Sequence, residues 1–422
     1  MVQTLEILPG VVLRHMGIDR FKQGCLSVQF LRHMTAEEAG INALIPAVLL
    51  RGCEGYPDLQ QITQKLDDLY GASVGTLVRR IGDYQTVGFY CGFIEDRFAM
   101  QGDAILEPMV EFVGKLLLKP LVEENGFCRE FVESEKRNLI SVIESEFSDK
   151  RSYAASKLLK IMCREDSFGV PRLGEVEQIR QITAESAYAH YQNMLHHSPL
   201  ELFYVGSVPM EQVADMLRRT LGTLQRTPEN LLPQTPFQHV EGERTEETQQ
   251  IAQAKLAMGF VTPITNQDSR FAAMQVFNTV FGSGMTSKLF MQVREKMSLC
   301  YAIGSGYYGS KGIVTVNAGI DTQQREKTEQ AILAQLEACQ NGQITQEELV
   351  AAKEAILSGL RAVYDSPGAM ESFFSTAAIS GLGRTPETYA QEIQTVTTEQ
   401  VMDAARTVCF HSAFFLKGED HE

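Results

Sequence analysis

The sequence of 422 residues contains no apolar run long enough to span a membrane, no basic run and no Cys-x-x-Cys pair. Without an apolar stretch of about 18 residues, no ordinary transmembrane helix is expected. The missing basic run, together with a formal net charge of -15, disfavours nucleic acids and anionic membranes as partners. Because the first residues also lack the basic and apolar regions of a signal peptide, we expect a cytoplasmic protein.

Metal-binding sequence motifs are absent as well. None of the eight histidines occurs in a His-x-x-Glu-His or His-Glu-x-x-His spacing. His196 and His197 precede Ser198 and Pro199, a pattern more typical of a helix end than of a metal site. The eight cysteines are scattered and most have apolar neighbours, which indicates small buried thiols. We therefore predict no cofactor and no metal in this chain.

The sequence does contain the same order of predicted elements twice. This order is strand 71–82, strand 84–94 and helix 96–113 in the first half, and strand 301–308, strand 312–320 and helix 322–339 in the second. Later in each half a capping threonine, Thr183 or Thr397, opens a short helix that leads into a strand, 200–206 or 412–418. Such a repeat at a spacing of about 210 residues indicates a duplication.

Residues 223–250, between the halves, have the composition of a linker, with Pro228, Pro233, Pro236 and a polar run. A chain of this length suits two domains of about 200 residues. We predict an N-terminal domain over 1–222, a linker over 223–250 and a C-terminal domain over 251–422. Because runs of adjacent strands are interrupted by pairs of long helices, each domain is predicted to be α+β, with a largely antiparallel sheet and helices on one face.

The segment 40–52, Gly-Ile-Asn-Ala-Leu-Ile-Pro-Ala-Val-Leu-Leu-Arg-Gly, is predicted to be helical. Thr35 and Glu38 have the spacing of a capping box, so the helix should begin there. It would then meet Pro46 in its interior, which costs about 3 kcal/mol or produces a kink. We therefore expect the helix to bend or restart near Asn42.

This segment resembles the inverted zinc helix of the insulinase/pitrilysin and mitochondrial processing peptidase family, where Gly-x-x-His-x-x-Glu-His precedes an apolar turn and Lys/Arg-Gly. The resemblance places Ala43 and Ala47 at the two histidines and Pro46 at the glutamate. Two imidazoles one turn apart can hold zinc beside a carboxylate base, whereas methyl groups and a proline ring cannot. The family's third ligand, a glutamate on a later helix, aligns with Val142, and Glu144 lies about 200° around that helix. The resemblance implies a dismantled zinc site.

The segment 281–301 is similar to the family's Gly-Gly-Gly-Met-Ser-Ser-Arg-Leu-Phe string and the Arg-Glu-Lys-x-Gly-Leu-x-Tyr that follows it. The resemblance implies that Arg294 and Tyr301 reach the substrate at a zinc site in the other half or in a partner subunit. A guanidinium can hold a peptide carbonyl, and a phenol can donate to an oxyanion. The alternative is that neither residue contacts a substrate: Arg294 would be a solvated helix residue, and Tyr301 would pack in a strand. Val74 and Gly75 replace the family's Asn-Ala pair beside the substrate-binding edge, which weakens the expectation of substrate binding there.

Within the family, the chain resembles the metal-free partner chain of bacterial two-subunit peptidases. This resemblance implies one half of a clamshell that closes a chamber with a zinc-bearing homologue, in which the partner subunit holds the zinc. The expected substrates are short or unfolded peptides, including precursor peptides. Two alternatives remain: a peptide-binding or structural scaffold without a hydrolytic role, and an autonomous peptidase with a metal site built from scattered ligands.

Overall fold

A computed structural model describes residues 2–237 and 240–419 of the protein. The chain falls into two compact units. Unit 1 consists of Met1–Ile143, Val170–Pro233 and Tyr364–Thr376, and unit 2 consists of Glu144–Gly169, Gln234–Val363 and Ala377–Glu422. No helix in the described part of the chain is both long enough and apolar enough to cross a membrane.

The described residues form strands and helices that are numbered here in chain order. The strands are β1 Gln3–Leu8, β2 Val11–Gly17, β3 Gln23–His33, β4 Ser73–Ile81, β5 Tyr84–Ile94, β6 Val122–Glu123, β7 Gly126–Phe127, β8 Leu200–Gly206, β9 Arg244–Gln249, β10 Ala254–Val261, β11 Ala302–Tyr308, β12 Ile313–Ile320 and β13 Cys409–Gly418. The α-helices are α1 Ala36–Leu49, α2 Leu59–Asp68, α3 Leu106–Leu118, α4 Arg129–Ser148, α5 Lys150–Met162, α6 Val176–Gln181, α7 Ala184–His197, α8 Met210–Leu221, α9 Phe271–Phe281, α10 Arg325–Gln340, α11 Gln346–Ala362, α12 Pro367–Ser380, α13 Pro386–Thr395 and α14 Thr398–Arg406. A π-helix spans Leu289–Lys296.

Unit 1 is built on a six-stranded sheet in the order β1-β2-β8-β3-β5-β4. Its neighbouring strands are antiparallel except for the parallel pair β2 and β8. Alternate residues of β3, including Leu26, Val28 and Phe30, point into a core that also contains buried residues of α1, α3 and α7. This core fixes α1 against the sheet.

Unit 2 is built on a five-stranded sheet in the order β11-β12-β10-β13-β9, with only β13 and β9 parallel. The sheets of the two units share one connectivity. In unit 1, the strand that closes the repeat is β8, which lies between its parallel neighbour β2 and its antiparallel neighbour β3. In unit 2, the closing strand β13 lies in the same way between the parallel β9 and the antiparallel β10. Both closing strands follow helices whose capping threonines, Thr183 and Thr397, form the complete capping box. The shared strand order supports the predicted duplication, and the α+β class with mainly antiparallel sheets is confirmed.

Each unit also contains a segment from a distant part of the sequence, held by an ion pair whose carboxylate is buried. In unit 1 the Glu371 carboxylate is fully buried and lies 2.8 Å from the Arg79 guanidinium. Ser27 Oγ and Gln29 Nε2, both on β3, donate hydrogen bonds to the same carboxylate. Because Ser27 and Gln29 alternate with Val28, the 364–376 segment covers the sheet face opposite the main core.

The corresponding ion pair in unit 2 joins Lys311, in the turn between β11 and β12, to Asp166, which follows α5. Lys311 Nζ lies 2.9 Å from Asp166 Oδ1, and both side chains are buried. Around it, α5 residues such as Leu158 and Met162 form an apolar cluster with Ile313 and Phe414 of the sheet. A helix from the first half of the sequence therefore completes the core of unit 2.

Three local predictions need correction. Helix α1 is continuous through Pro46, so the expected restart near Asn42 is wrong. Burial of Leu44, Ile45 and Val48 offsets the cost of the proline, because tertiary packing supplies most of a helix's stability. The predicted helix 96–113 begins only at Leu106, after two short 3₁₀ turns. The sequence Arg244–Gln249, near the end of the predicted linker, is strand β9.

Candidate functional site

Helices α1 and α4 bring three of the four predicted ligand positions to one cavity in unit 1. Ala43 and Ala47 lie one turn apart on α1, and Val142 lies on α4. All three line a cavity of about 360 Å³. Its other lining residues are Leu44, Thr76, Val78, Glu135, Asn138, Leu139, Arg172 and Leu173. Pro46, at the position of the family's glutamate, is buried and does not line this cavity.

The side chains around the cavity do not form a donor set for zinc. Among the residues that line the cavity, only Glu135 carries a carboxylate, and that carboxylate already has two partners. Its Oε1 lies 3.4 Å from Arg51 Nη1, and its Oε2 accepts a 3.1 Å hydrogen bond from Asn138 Nδ2. Across residues 2–237 and 240–419, no group of three or more His, Cys, Asp or Glu side chains could hold a metal ion. The residues present therefore do not fit the family's zinc.

A buried polar network fixes α1 and the cavity wall. Gln85 Nε2 donates to the carbonyls of Ala39 and Arg172, so its Oε1 accepts from Asn42 Nδ2 at 3.0 Å. Asn42 Oδ1 then accepts from His190 Nε2, at 2.7 Å. Burial lowers the pKa of His190, partly opposed by nearby Glu38, which favours the neutral ring with its proton on Nε2. Sequence reasoning missed this network, although an asparagine inside an apolar helix was its one visible signal.

Strand β4 forms one side of the cavity and is also an edge of the unit 1 sheet. Among the described strands it pairs only with β5, so its other edge carries unpaired backbone groups. Thr76 and Val78 of this strand line the cavity. A Cβ added to Gly75 would meet nothing within 4 Å, so the backbone there is open. An extended peptide pairing with this edge would place alternate side chains toward the cavity.

Arg294 lies on the π-helix of unit 2, and its side chain is 37% exposed. Its Cζ is 4.5 Å from the centroid of the Phe290 ring, and its nearest carboxylate, on Glu295, is 3.6 Å away. The helix is followed by Ser298, at the position of the family's glycine, with a left-handed φ of 52°. Three methionines of the 281–301 segment are also exposed: Met285, Met291 and Met297.

Tyr301 lies just before β11 and is 60% exposed. Its backbone N–H donates to the Gly319 carbonyl, which anchors it beside β12. Its hydroxyl donates to Asp321 Oδ1 at 3.1 Å, and this hydrogen bond to a carboxylate raises the pKa of the phenol. Tyr301 is therefore a protonated donor at neutral pH and is not packed in the core. Asp321 was not singled out from the sequence, because nothing in its local pattern indicates the contact.

Comparisons with known proteins find similarity to M16 peptidase-like proteins, two of which are described as inactive. The domain described as "Peptidase M16 inactive domain" matches residues 181–356. The probable inactive metalloprotease YmfF of Bacillus subtilis is 28% identical over 411 residues, covering 97% of this chain and 96% of that one. A conserved protein from Enterococcus faecalis has a crystal structure with a TM-score of 0.92, 27% identity, and coverage of 100% of this chain and 99% of that one. An M16 inactive domain from Pseudomonas fluorescens, 18% identical, shares the fold with a TM-score of 0.80 over 100% of this chain and 99% of that one.

Proposed function

Because the chain is an inactive homologue of the M16 metallopeptidases, we propose that it is the metal-free subunit of a two-chain zinc peptidase. In this proposal a zinc-bearing homologue supplies the metal, and this chain closes the chamber and presents Arg294 and Tyr301. The substrates are short or unfolded peptides, including precursor peptides, and the assembly works in the cytoplasm. The chain alone has no hydrolytic activity.

The exposure of Arg294 and Tyr301 is the observation that carries this proposal. Neither side chain is used by the core of unit 2, and the described residues place no hydrogen-bond acceptor on the Arg294 guanidinium. Its N–H donors can hold a peptide carbonyl, while the Tyr301 hydroxyl, once rotated away from Asp321, can donate to the oxygen that gains negative charge when that carbonyl is attacked. Losing one such donor typically costs about 2.7 to 4 kcal/mol in the transition state, which is roughly 100- to 1,000-fold in rate.

The test mixes this chain with the His-x-x-Glu-His homologue of the same organism and measures hydrolysis of internally quenched peptides. We expect strong activity in the mixture and little from either chain alone. Tyr301→Phe should lower turnover without loss of assembly on a sizing column. Tyr308→Phe is the matched control, since Tyr308 is also exposed and lies at the other end of β11. Full activity of the homologue alone, unaltered by mixing, would refute the proposal.

A second candidate is a peptide-binding scaffold without a catalytic role. It is favoured by the unpaired edge of β4 beside an open cavity lined by both apolar and polar side chains, an arrangement suited to an added peptide strand. The test is fluorescence anisotropy of labelled extended peptides with this chain alone. Ala47→Phe, which fills the cavity, should weaken binding. Binding that is tight, abolished by this variant and unaccompanied by activity in the mixture would favour the scaffold.

A further inference from the structure

The short helix that carries Arg294 has a wider turn than an α-helix. It spans Leu289–Lys296 in the π conformation, and the N–H of Met297 donates to the carbonyl of Gln292, five residues earlier, at 2.9 Å. Complete π-helices are uncommon, and single π turns often occur at functional sites. Phe290 lies four residues before Arg294, a spacing at which side chains also meet on an α-helix.

The neighbour that this helix gives to Arg294 is Phe290. The guanidinium carbon lies 4.5 Å from the centre of the Phe290 ring, within the range of a cation–π contact. Glu295 is adjacent in sequence, and its 3.6 Å separation is too long for a good hydrogen bond. Over the described residues, no hydrogen bond holds the guanidinium. The aromatic ring is therefore the contact that orients this group.

We propose that Phe290 is a positioning residue whose ring fixes the guanidinium plane of Arg294 and leaves its N–H edges free for a peptide carbonyl. A carboxylate partner would occupy those donors, whereas stacking on a ring does not. This inference rests on the proposed function, because it concerns how Arg294 is held for a substrate. Phe290 touches no substrate atom itself and acts through Arg294.

The activity test is a double-mutant cycle in the mixture with the zinc-bearing homologue, using internally quenched peptides. Phe290→Leu removes the ring and keeps an apolar side chain, and should lower kcat/KM about two- to fivefold, as expected for an exposed cation–π contact. Phe290→Tyr keeps the ring and should restore the parent value. In an Arg294→Ala background, Phe290→Leu should have no further effect. Phe21→Leu is the control, because Arg20 stacks on Phe21 at 4.8 Å elsewhere in the chain.

The second measurement does not depend on activity. In chains with ¹⁵N-labelled arginine, the Nε–H signal of Arg294 should carry a ring-current shift that Phe290→Leu removes and Phe290→Tyr retains. An unchanged signal in Phe290→Leu would overturn the inference, as would an equal loss of kcat/KM in the parent and Arg294→Ala backgrounds. If Arg294→Ala itself leaves kcat/KM unchanged, the proposed function fails, while the NMR result still decides whether Phe290 orients Arg294.

Discussion

Removing Lys311 should destabilise unit 2 far more than removing an ordinary surface charge. Lys311 Nζ is 2.9 Å from Asp166 Oδ1 with both side chains buried, and it also donates to the Thr235 carbonyl at 2.9 Å. Lys311→Met keeps most of the side-chain length but removes the ammonium that pairs with the buried Asp166 carboxylate. Breaking a buried ion pair in this way typically costs about 3 to 5 kcal/mol.

The assay is urea unfolding followed by circular dichroism, with hydrogen exchange to locate the change in unit 2. Exchange is needed because two compact units need not unfold in one step. Glu354→Gln is the control, since its pair with Arg361 is at 3.2 Å but both side chains are largely exposed. It should cost less than about 1 kcal/mol. A Lys311→Met variant as stable as this control would refute the reasoning.

Three further predictions concern the candidate sites. Ala43→His, Ala47→His and Val142→Glu together should give a chain that binds one zinc ion, measured by elemental analysis, whereas Ala43→His alone should bind none. Ser298→Gly should raise the free energy of unfolding by about 0.5 to 1 kcal/mol in urea, since glycine accepts its left-handed φ of 52° without strain, and Ser298→Ala should give no gain. Asp321→Asn should lower the raised pKa of Tyr301 toward its ordinary value, because the carboxylate that raises it is gone. The assay is an ultraviolet titration with Tyr301→Phe as the reference. A pKa that stays raised in Asp321→Asn would contradict the prediction.

Local signals in the sequence predict local structure well. The strand predicted over 84–94 has the bounds observed, and both capping threonines, Thr183 and Thr397, open helices as expected. These features depend on side-chain alternation and on hydrogen bonds within four residues, which a sequence displays directly. The repeated order of elements along the chain follows from the same local signals read twice.

Contacts between distant segments were not predictable in the same way. The periodicity of α5 shows that it has an apolar face but not that this face completes unit 2. Likewise, nothing local to Glu371 indicates that its carboxylate would meet Arg79. The π-helix at Leu289–Lys296 also escaped prediction, because its apolar pattern fits an α-helix equally well. For the candidate site, the resemblance supplied Val142, and only the structure placed it beside Ala43 and Ala47.

The two candidate sites differ in what stability can explain. At the cavity, Ala43 is buried and is a residue that a stable core favours, because its methyl group avoids the cost of burying a polar ligand without a metal. Stability offers no such reason for Arg294 and Tyr301. Both are exposed, and replacing such surface residues usually changes the free energy of unfolding by no more than about 0.5 kcal/mol. If Arg294→Ala and Tyr301→Phe prove neutral in urea unfolding, their presence needs an explanation outside the fold, and a substrate held by a partner chain supplies one.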